Sequence, residues 1–288
     1  MVRVLDAAPV ADLRPGVAVR HRRRFGERVR DVADQLWRPV LLIAACGGLW
    51  WLITRLDLVA PYLVPSPGRT WQVMVDQAGY LARNTLTTTW ETLVGFVLAA
   101  AAGLLAAVVM VYSSTVEKTL YPLLLFAQVV PKIAIAPLFV VWLGFGSSPK
   151  IVVAVLMAFF PIVISGMTGL RSVDPELLEL VATMGSKPLQ TFRKIRFPAA
   201  LPHLFAGLKI AATLAVTGAV VGEFVGANEG LGYVILQANG NLDTPMLFAG
   251  LIIMALLGVL LFAVIEIAER MLLPWHSSRR STQIAAGF

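Results

Sequence analysis

Six apolar stretches constrain what this 288-residue chain can fold into more than any other feature. A helix that crosses the hydrocarbon of a bilayer needs about 20 mostly apolar residues. Stretches that approach or meet this requirement cover residues 39–55, 92–112, 120–143, 151–170, 204–225 and 246–267. The pattern predicts an all-α, polytopic transmembrane helical bundle of six spans in a cell membrane.

The composition excludes the main alternatives to a membrane protein. Hydrophobic residues make up 58% of the chain and charged residues 14%, whereas about a quarter of a typical soluble domain is charged. The chain therefore has too little polar surface to coat a water-soluble particle. A single cysteine, Cys46, excludes a disulfide scaffold, and the absence of a long polar tract excludes a disordered chain.

The distribution of Lys and Arg predicts the orientation of the bundle. Residues 1–38 hold nine of the 24 basic residues and the segment 171–203 holds five, whereas 227–245 holds none. Short basic segments favour the cytoplasmic side, so both termini and 171–203 are expected inside and 227–245 outside. Arg69, Arg83 and Lys150 are the exceptions, because this topology places them outside.

We divide the chain into a basic tail (1–38), a six-span membrane domain (39–270) and a C-terminal tail (271–288). The arginines of the first tail precede a span, which favours an anchor on anionic lipid over a nucleic-acid site. None of the segments between spans is long enough to form a core of its own. Any large soluble component is therefore expected on other chains.

The segment 171–203 predicts two short helices joined at a glycine. Leu177, Val181 and Met184 follow the i, i+4, i+7 spacing of one helix face, and Pro175 stands where a helix begins. Gly185 suits the left-handed residue that ends such a helix.

A second helix is predicted to begin after this corner. Ser186 is its expected cap and Pro198 its expected end. A rigid helical protrusion of this kind fits a groove in a partner protein. An amphipathic helix pair that lies on the lipid surface explains the same pattern equally well.

The spacing of this segment resembles the EAA loop of ATP-binding-cassette (ABC) importer permeases. The residues that carry the resemblance are Glu179, Leu180, Val181, Gly185, Ile195, Phe197 and Pro198. The family usually has alanine where this chain has Leu180 and Val181, a difference that affects how closely a partner can pack.

Other stretches extend the resemblance to permeases of the nitrate, sulfonate and taurine group. They are Val-Pro-Ser-Pro at 64–67, Val-Asp-Pro at 173–175, Pro-Ala-Ala-Leu-Pro at 198–202 and Gly-Leu-Gly-Tyr at 230–233. The resemblance covers the chain from about residue 64 to its C-terminus.

The resemblance implies a type I ABC importer permease, in which two copies of the chain bind two cytoplasmic ATPase subunits. It implies that residues 179–198 contact the ATPase, and that an extracytoplasmic binding protein delivers the solute to the face formed by 227–245. The chain itself is expected to be no enzyme and to need no cofactor, and it lacks the Gly-x4-Gly-Lys-[Ser/Thr] phosphate loop.

Two charged residues within the apolar stretches are candidates for the solute pathway, which spans two to five are expected to line. Lys132 stands where Pro131 and Pro137 interrupt the third stretch, and Glu223 lies near the outer end of the fifth. Charges at membrane depth are costly and are often functional. Equally, Lys132 can extend to the headgroups, and Glu223 can pair with Lys132 or be a partly hydrated interfacial acid.

Neither a catalytic nor a metal site is expected, because His21, His203, His276 and Cys46 are scattered along the chain. The alternative function is a secondary transporter driven by an ion gradient, which needs paired ionisable residues in facing spans. The sequence offers only Lys132 and Glu223 for that role. A structural membrane protein would not need the glycine-cornered loop. A sulfonate, nitrate or a heterocycle such as a vitamin precursor remain open as the solute.

Overall fold

The structure, a computed structural model, describes residues 25–273, and the side chains of residues 37, 38 and 40–273. All regular elements in this part of the chain are helical, as predicted. They are α1 (Phe25–Arg55), α2 (Pro67–Asp76), α3 (Ala78–Tyr112), α4 (Ser114–Val129), α5 (Lys132–Leu143), α6 (Ser147–Leu170), α7 (Pro175–Thr183), α8 (Pro188–Thr191), a π turn (Phe192–Arg196), α9 (Phe197–Gly226), α10 (Leu231–Gly240) and α11 (Thr244–Leu272).

Four helical runs in the described residues are long and apolar enough to cross a membrane: α3, α6, the run 188–226 and α11. The pair α4 and α5 passes the same test only as one span that is bent by 97°. The first predicted span corresponds to a shorter apolar stretch, Val40–Arg55, at the end of α1. The multi-pass membrane fold is thus confirmed, whereas the count of six spans and the cytoplasmic termini stay predictions.

The chain divides into two compact units, residues 1–53 and 54–288. Of the first unit the structure describes the helical residues 25–53. Most of the basic N-terminal tail, and residues 274–288 of the C-terminal tail, lie outside the described residues. All sites discussed below belong to the second unit.

The third predicted span is broken as expected, but by one proline only. Pro131 caps the N-terminus of α5, next to Val130, whose extended backbone ends α4. Pro137, which was expected to interrupt the span as well, lies inside α5. The predicted second break is therefore wrong: a single turn at residues 130–131 redirects the chain.

Small residues hold α6 between α3 and α9. A Cβ atom at Gly95 would lie 2.6 Å from the Cβ of Ala154, and one at Gly218 would lie 2.7 Å from the Ala154 Cα. Glycine and alanine at such contacts let helix backbones approach closely, which is how membrane helices gain packing energy. This three-helix body, α3–α6–α9, positions both regions described next.

Candidate functional site

We call residues 171–203 the coupling loop, after the role that the resemblance implies. Its first helix is α7. Asp174 is its N-cap and accepts a hydrogen bond of 2.9 Å from the Glu176 backbone N–H, with Pro175 at the first helical position. A capping carboxylate satisfies a backbone donor and interacts favourably with the helix dipole. The predicted helix start is confirmed.

Gly185 ends α7 with a φ of +75°, as predicted. Its N–H donates to the Ala182 carbonyl at 3.0 Å, and the Ser186 N–H donates to the Val181 carbonyl at 3.3 Å. These two bonds form a Schellman motif, which satisfies the last carbonyls of the helix and needs a left-handed residue. The corner is therefore fixed by backbone hydrogen bonds.

The second helix of the coupling loop differs from the prediction at both ends. Lys187, not Ser186, occupies the N-cap position of α8, and the Ser186 hydroxyl lies 3.0 Å from the Thr191 hydroxyl. Pro198 does not stop the helix, because the helical run continues through the π turn into α9.

The π turn explains why the helix can pass Pro198. Proline lacks an N–H, and its ring collides with the carbonyl four residues earlier in a regular α-helix. Here the Phe197 N–H bonds to the Phe192 carbonyl, five residues back. This wider turn makes room for the ring, as π turns in helices do at sites of local strain.

The tip of the coupling loop exposes apolar side chains. Met184 is 78% exposed, Leu189 66% and Leu180 58%, and Glu179 is exposed beside them. Of the other residues that carry the resemblance, Val181, Ile195 and Pro198 are half-buried. The loop thus presents an apolar surface, and the backbone groups at its corner are hydrogen-bonded within the loop itself.

The base of the coupling loop is anchored to α3. The Phe192 ring lies 6.0 Å from the Tyr112 ring, and the Arg196 guanidinium lies over the same tyrosine at 5.4 Å. Arg171, just after α6, forms an ion pair of 2.5 Å with Glu117 of α4. Aromatic and cation–π contacts of this kind add to the packing energy.

The opposite end of the α3–α6–α9 body contains a buried charge cluster, which we define as Glu91, Lys150 and Glu223. The Lys150 ammonium forms an ion pair of 2.8 Å with the Glu91 carboxylate. Lys150 is 3% exposed, and the two glutamates are fully buried. Charges removed from water to this degree need partners, since an unpaired buried charge is strongly unfavourable.

The second carboxylate of the cluster, Glu223, is held by hydrogen bonds. It accepts one of 2.6 Å from the Thr88 hydroxyl of α3 and one of 2.5 Å from the Gly232 backbone N–H of α10. A Cβ atom at residue 232 would lie 2.7 Å from the Glu223 carboxylate. Only glycine therefore lets the carboxylate approach the backbone at this point.

Sequence reasoning missed two members of this cluster. Lys150 was expected in an outer turn and Glu91 outside the second span, but α3 begins at residue 78 and buries Glu91. The expectation that only Lys132 and Glu223 could supply ionisable groups within the bundle was therefore wrong. The signal was present: Asn84, Thr88 and Glu91 follow the i, i+4, i+7 spacing of one helix face.

Lys132 and Glu223 do not pair. The Lys132 ammonium donates to the Gln128 carbonyl at 3.1 Å and lies 4.9 Å from the centre of the Phe160 ring. A cation that binds a carbonyl of the last turn of α4 stabilises the C-terminus of that helix. Lys132 therefore stabilises the break in the third span. Glu223 is fully buried, which also excludes the hydrated interfacial acid.

Within residues 25–273, no three His, Cys, Asp or Glu side chains are grouped so that they could hold a metal ion. His21 and His276 lie outside the described residues.

Comparison with curated proteins identifies several relatives that match over most of their length. The chain is 38% identical over 246 residues to the formylaminopyrimidine transport permease protein ThiX of Halalkalibacterium halodurans, which covers 85% of this chain and 98% of that protein. It is 38% identical over 263 residues to the riboflavin transport system permease protein RibX of Chloroflexus aurantiacus, covering 88% and 97%. It is 34% identical over 244 residues to the putative aliphatic sulfonates transport permease protein SsuC of Bacillus subtilis, covering 84% and 88%.

A solved structure supports the fold. A chain of the MetNI methionine ABC transporter, crystallised in inward-facing conformations, superposes with a TM-score of 0.62 at 22% identity, covering 68% of this chain and 98% of that chain. The model of the family "binding-protein-dependent transport system inner membrane component" matches residues 99–275. This range includes α4 to α11, the coupling loop and two members of the charge cluster, Lys150 and Glu223. This chain belongs to that family of inner-membrane transport permeases.

Proposed function

We propose that this chain is the membrane-spanning subunit of an ATP-driven importer, working as two copies with separate ATPase subunits and an extracytoplasmic binding protein. Family membership supports transport. The observation that carries the proposal is the coupling loop, which combines a fixed corner with an exposed apolar tip.

The tip of the loop has the properties of a docking surface. Leu180, Met184 and Leu189 are each more than half exposed, and burying such side chains against a partner is favourable by about 25 cal/mol per Å² of apolar area. The Schellman corner at Gly185 fixes the geometry before binding, which lowers the entropy cost of docking.

The loop is also built to transmit motion. Residues 188–226 form one continuous helical run, so a displacement of α8 acts directly on α9. Gly207, Gly218 and Gly222 pack α9 tightly onto α6, and close-packed helices move together rather than deforming. ATP binding and hydrolysis on the docked subunit would thereby shift the α3–α6–α9 body.

The solute is proposed to be a small organic molecule. The names of the relatives include a pyrimidine, a flavin and an aliphatic sulfonate, so permeases that are 34–38% identical to this chain are named for different solutes. Selection is then expected mainly on the binding protein. Lys132 and Glu223 remain proposed residues of the solute pathway. Lys132 lies at the turn of a broken helix, where solute-binding sites of transporters often occur.

A photo-crosslinking experiment tests the docking role. A photoreactive amino acid is placed at Met184 in membranes of the source organism, and the captured chain is identified by mass spectrometry. We expect capture of a subunit with a phosphate-loop ATPase sequence. The matched control is the same probe at Leu236, which is 46% exposed on α10 at the other end of the bundle.

Capture of lipid alone at position 184, or equal capture of the ATPase from position 236, would contradict the docking role. The first result would favour the alternative in which the helix pair lies on the membrane surface. The second would show that the ATPase does not distinguish the two ends of the bundle.

A further inference from the structure

The N-terminus of α10 is held by side chains from two other helices. The Gly230 N–H donates to the Asn84 side-chain amide oxygen Oδ1 at 2.7 Å, and the Leu231 N–H donates to the Thr88 hydroxyl at 2.7 Å. The Gly232 N–H donates to Glu223. Three successive backbone donors at the start of this helix are therefore satisfied by α3 and α9, all at buried positions.

Thr88 links these contacts into one network. Its hydroxyl donates to the Glu223 carboxylate at 2.6 Å and accepts from the Leu231 N–H. A hydroxyl that both donates and accepts strengthens the bonds on either side of it. The carboxylate also lies at a helix N-terminus, where the helix dipole favours negative charge.

Lys150 adds a contact from α6. Its ammonium lies 3.5 Å from the Glu229 carbonyl, just before α10, while it pairs with Glu91. The segment 229–232 is therefore surrounded by polar groups of α3, α6 and α9. Near the far end of α10, the Tyr80 hydroxyl donates to the Gln237 side chain at 3.3 Å, a second tie to α3.

From these contacts we propose that α10 is a fixed part of the α3–α6–α9 body and not a lid hinged at residues 226–230, with Asn84, Thr88 and Glu223 as its positioning residues. A lid needs backbone hydrogen bonds that open at low cost. The α10 N-terminus has the opposite property, because releasing it would leave buried donors and a buried carboxylate unpaired.

The proposal has a consequence for the surface between α10 and α3. A cavity of about 460 Å³ lies there, and its lining includes Gln77, Tyr80, Tyr233 and Gln237. If α10 is fixed, the part of the cavity wall formed by Tyr80, Tyr233 and Gln237 keeps one shape while the importer changes state. That Asn84, Thr88 and Glu223 hold α10 in place follows from the contacts alone. That α10 stays in place during transport rests also on the proposed function.

Hydrogen exchange read by mass spectrometry tests the positioning in the purified chain. Thr88→Val keeps the shape of the side chain but removes the hydroxyl that serves both Leu231 and Glu223. We expect the amides of the peptide 229–236 to exchange about 10- to 100-fold faster than in the wild type. Thr88→Ser restores a hydroxyl and should return exchange to near the wild-type rate.

Thr89→Val is the matched control. The Thr89 hydroxyl donates at 2.7 Å to the Thr85 carbonyl within its own helix, so its loss should leave the peptide 229–236 unchanged. A peptide from the middle of α9, residues 206–216, reports whether the whole fold has loosened. Equal acceleration in both peptides for Thr88→Val, or no acceleration in either, would overturn the positioning role.

The same measurement on the assembled importer tests whether α10 stays fixed during transport. Exchange in 229–236 should be equal in the nucleotide-free and the ATP-bound states of the wild type. Faster exchange in one state would show a hinged lid and overturn the fixed-body proposal. If no ATPase subunit assembles with the chain, the proposed function fails, while the comparison of Thr88→Val with Thr88→Ser still decides the positioning role.

Discussion

The coupling loop and the buried charge cluster lie at opposite ends of the same three helices and use their side chains in opposite ways. In the loop, backbone hydrogen bonds within the segment fix the shape, and the side chains at the tip contact little of the described chain. In the cluster, the side chains fix the shape by joining four helices, and almost none of their surface is exposed.

This difference indicates which region contributes to binding a partner and which to the stability of the chain. A segment whose shape does not depend on its exposed side chains can change those side chains with little effect on its own fold. A buried network loses far more free energy when one member is removed, because the remaining groups stay buried without partners. The loop is thus suited to contact another chain, and the cluster to hold this one together.

The largest expected effect comes from breaking the cluster at Lys150. Lys150→Met leaves the Glu91 and Glu223 carboxylates without a cation, and we expect a loss of about 3–5 kcal/mol in the free energy of unfolding. The measurement is unfolding of the detergent-solubilised chain. Lys209→Met is the control, because the Lys209–Glu269 pair of 2.5 Å is partly exposed and should contribute much less.

A loss for Lys150→Met no greater than that for Lys209→Met would remove the contrast between the fully buried and the partly exposed pair. The double variant Glu91→Leu with Lys150→Met sharpens the test. Replacing both members of a buried pair by apolar groups is often close to neutral, so this variant should recover most of the stability lost in the single one.

The next effect in size is expected at the corner of the coupling loop. Gly185→Val forces a branched side chain to adopt a φ of +75°, which costs about 1–2 kcal/mol. Solute uptake should fall to background while the amount of protein in the membrane stays within about twofold, since the strain is confined to a surface turn.

Gly258→Val is the control for this substitution. A Cβ atom at residue 258 meets nothing within 4 Å in the described chain, and this glycine lies within the regular helix α11. Full uptake by Gly185→Val would show that the corner is not needed. Loss of both variants from the membrane would show that the effect is one of insertion.

A smaller effect is expected at the start of α7. Asp174→Ala removes the N-cap carboxylate and should cost about 1 kcal/mol, enough to fray the first turn but not to unfold the bundle. Asp174→Asn keeps a capping group and should cost only a few tenths of a kcal/mol. Hydrogen exchange in the peptide 174–180 measures both, and equal exchange in the two variants would contradict the capping role.

The smallest effect on stability is expected at the tip of the loop. Met184→Ser should change the free energy of unfolding by no more than about 0.5 kcal/mol, because the side chain is 78% exposed. Binding of the ATPase subunit, measured by co-purification, should weaken by at least about fivefold if this side chain is buried on docking. Unchanged binding would place the contact elsewhere on the loop.

Local sequence patterns were sufficient to predict much of the coupling loop. Pro175 and Gly185 act on their immediate neighbours, and helix starts and left-handed ends have well-defined residue preferences. The end of the second helix was not predictable in the same way. Pro198 usually stops a helix, and the π turn that accommodates it depends on packing of Phe192 and Phe197 against residues of other helices.

The cluster was harder to predict because its members are far apart in the chain. Lys150 and Glu91 are separated by 59 residues, and Glu223 and Thr88 by 135. Their pairing depends on how α3, α6 and α9 align, which hydrophobic periodicity does not specify. The sequence does contain a polar face at Asn84, Thr88 and Glu91, but placing the second span at 92–112 hid it.

The central claim is that the coupling loop binds a separate ATPase, and the ratio of ATPase to permease chains after purification tests it most directly. The claim predicts that Glu179→Lys, at an exposed position of α7, lowers this ratio to background while the permease is recovered at its normal level. A ratio equal to that of the wild type for both Glu179→Lys and Gly185→Val would contradict it.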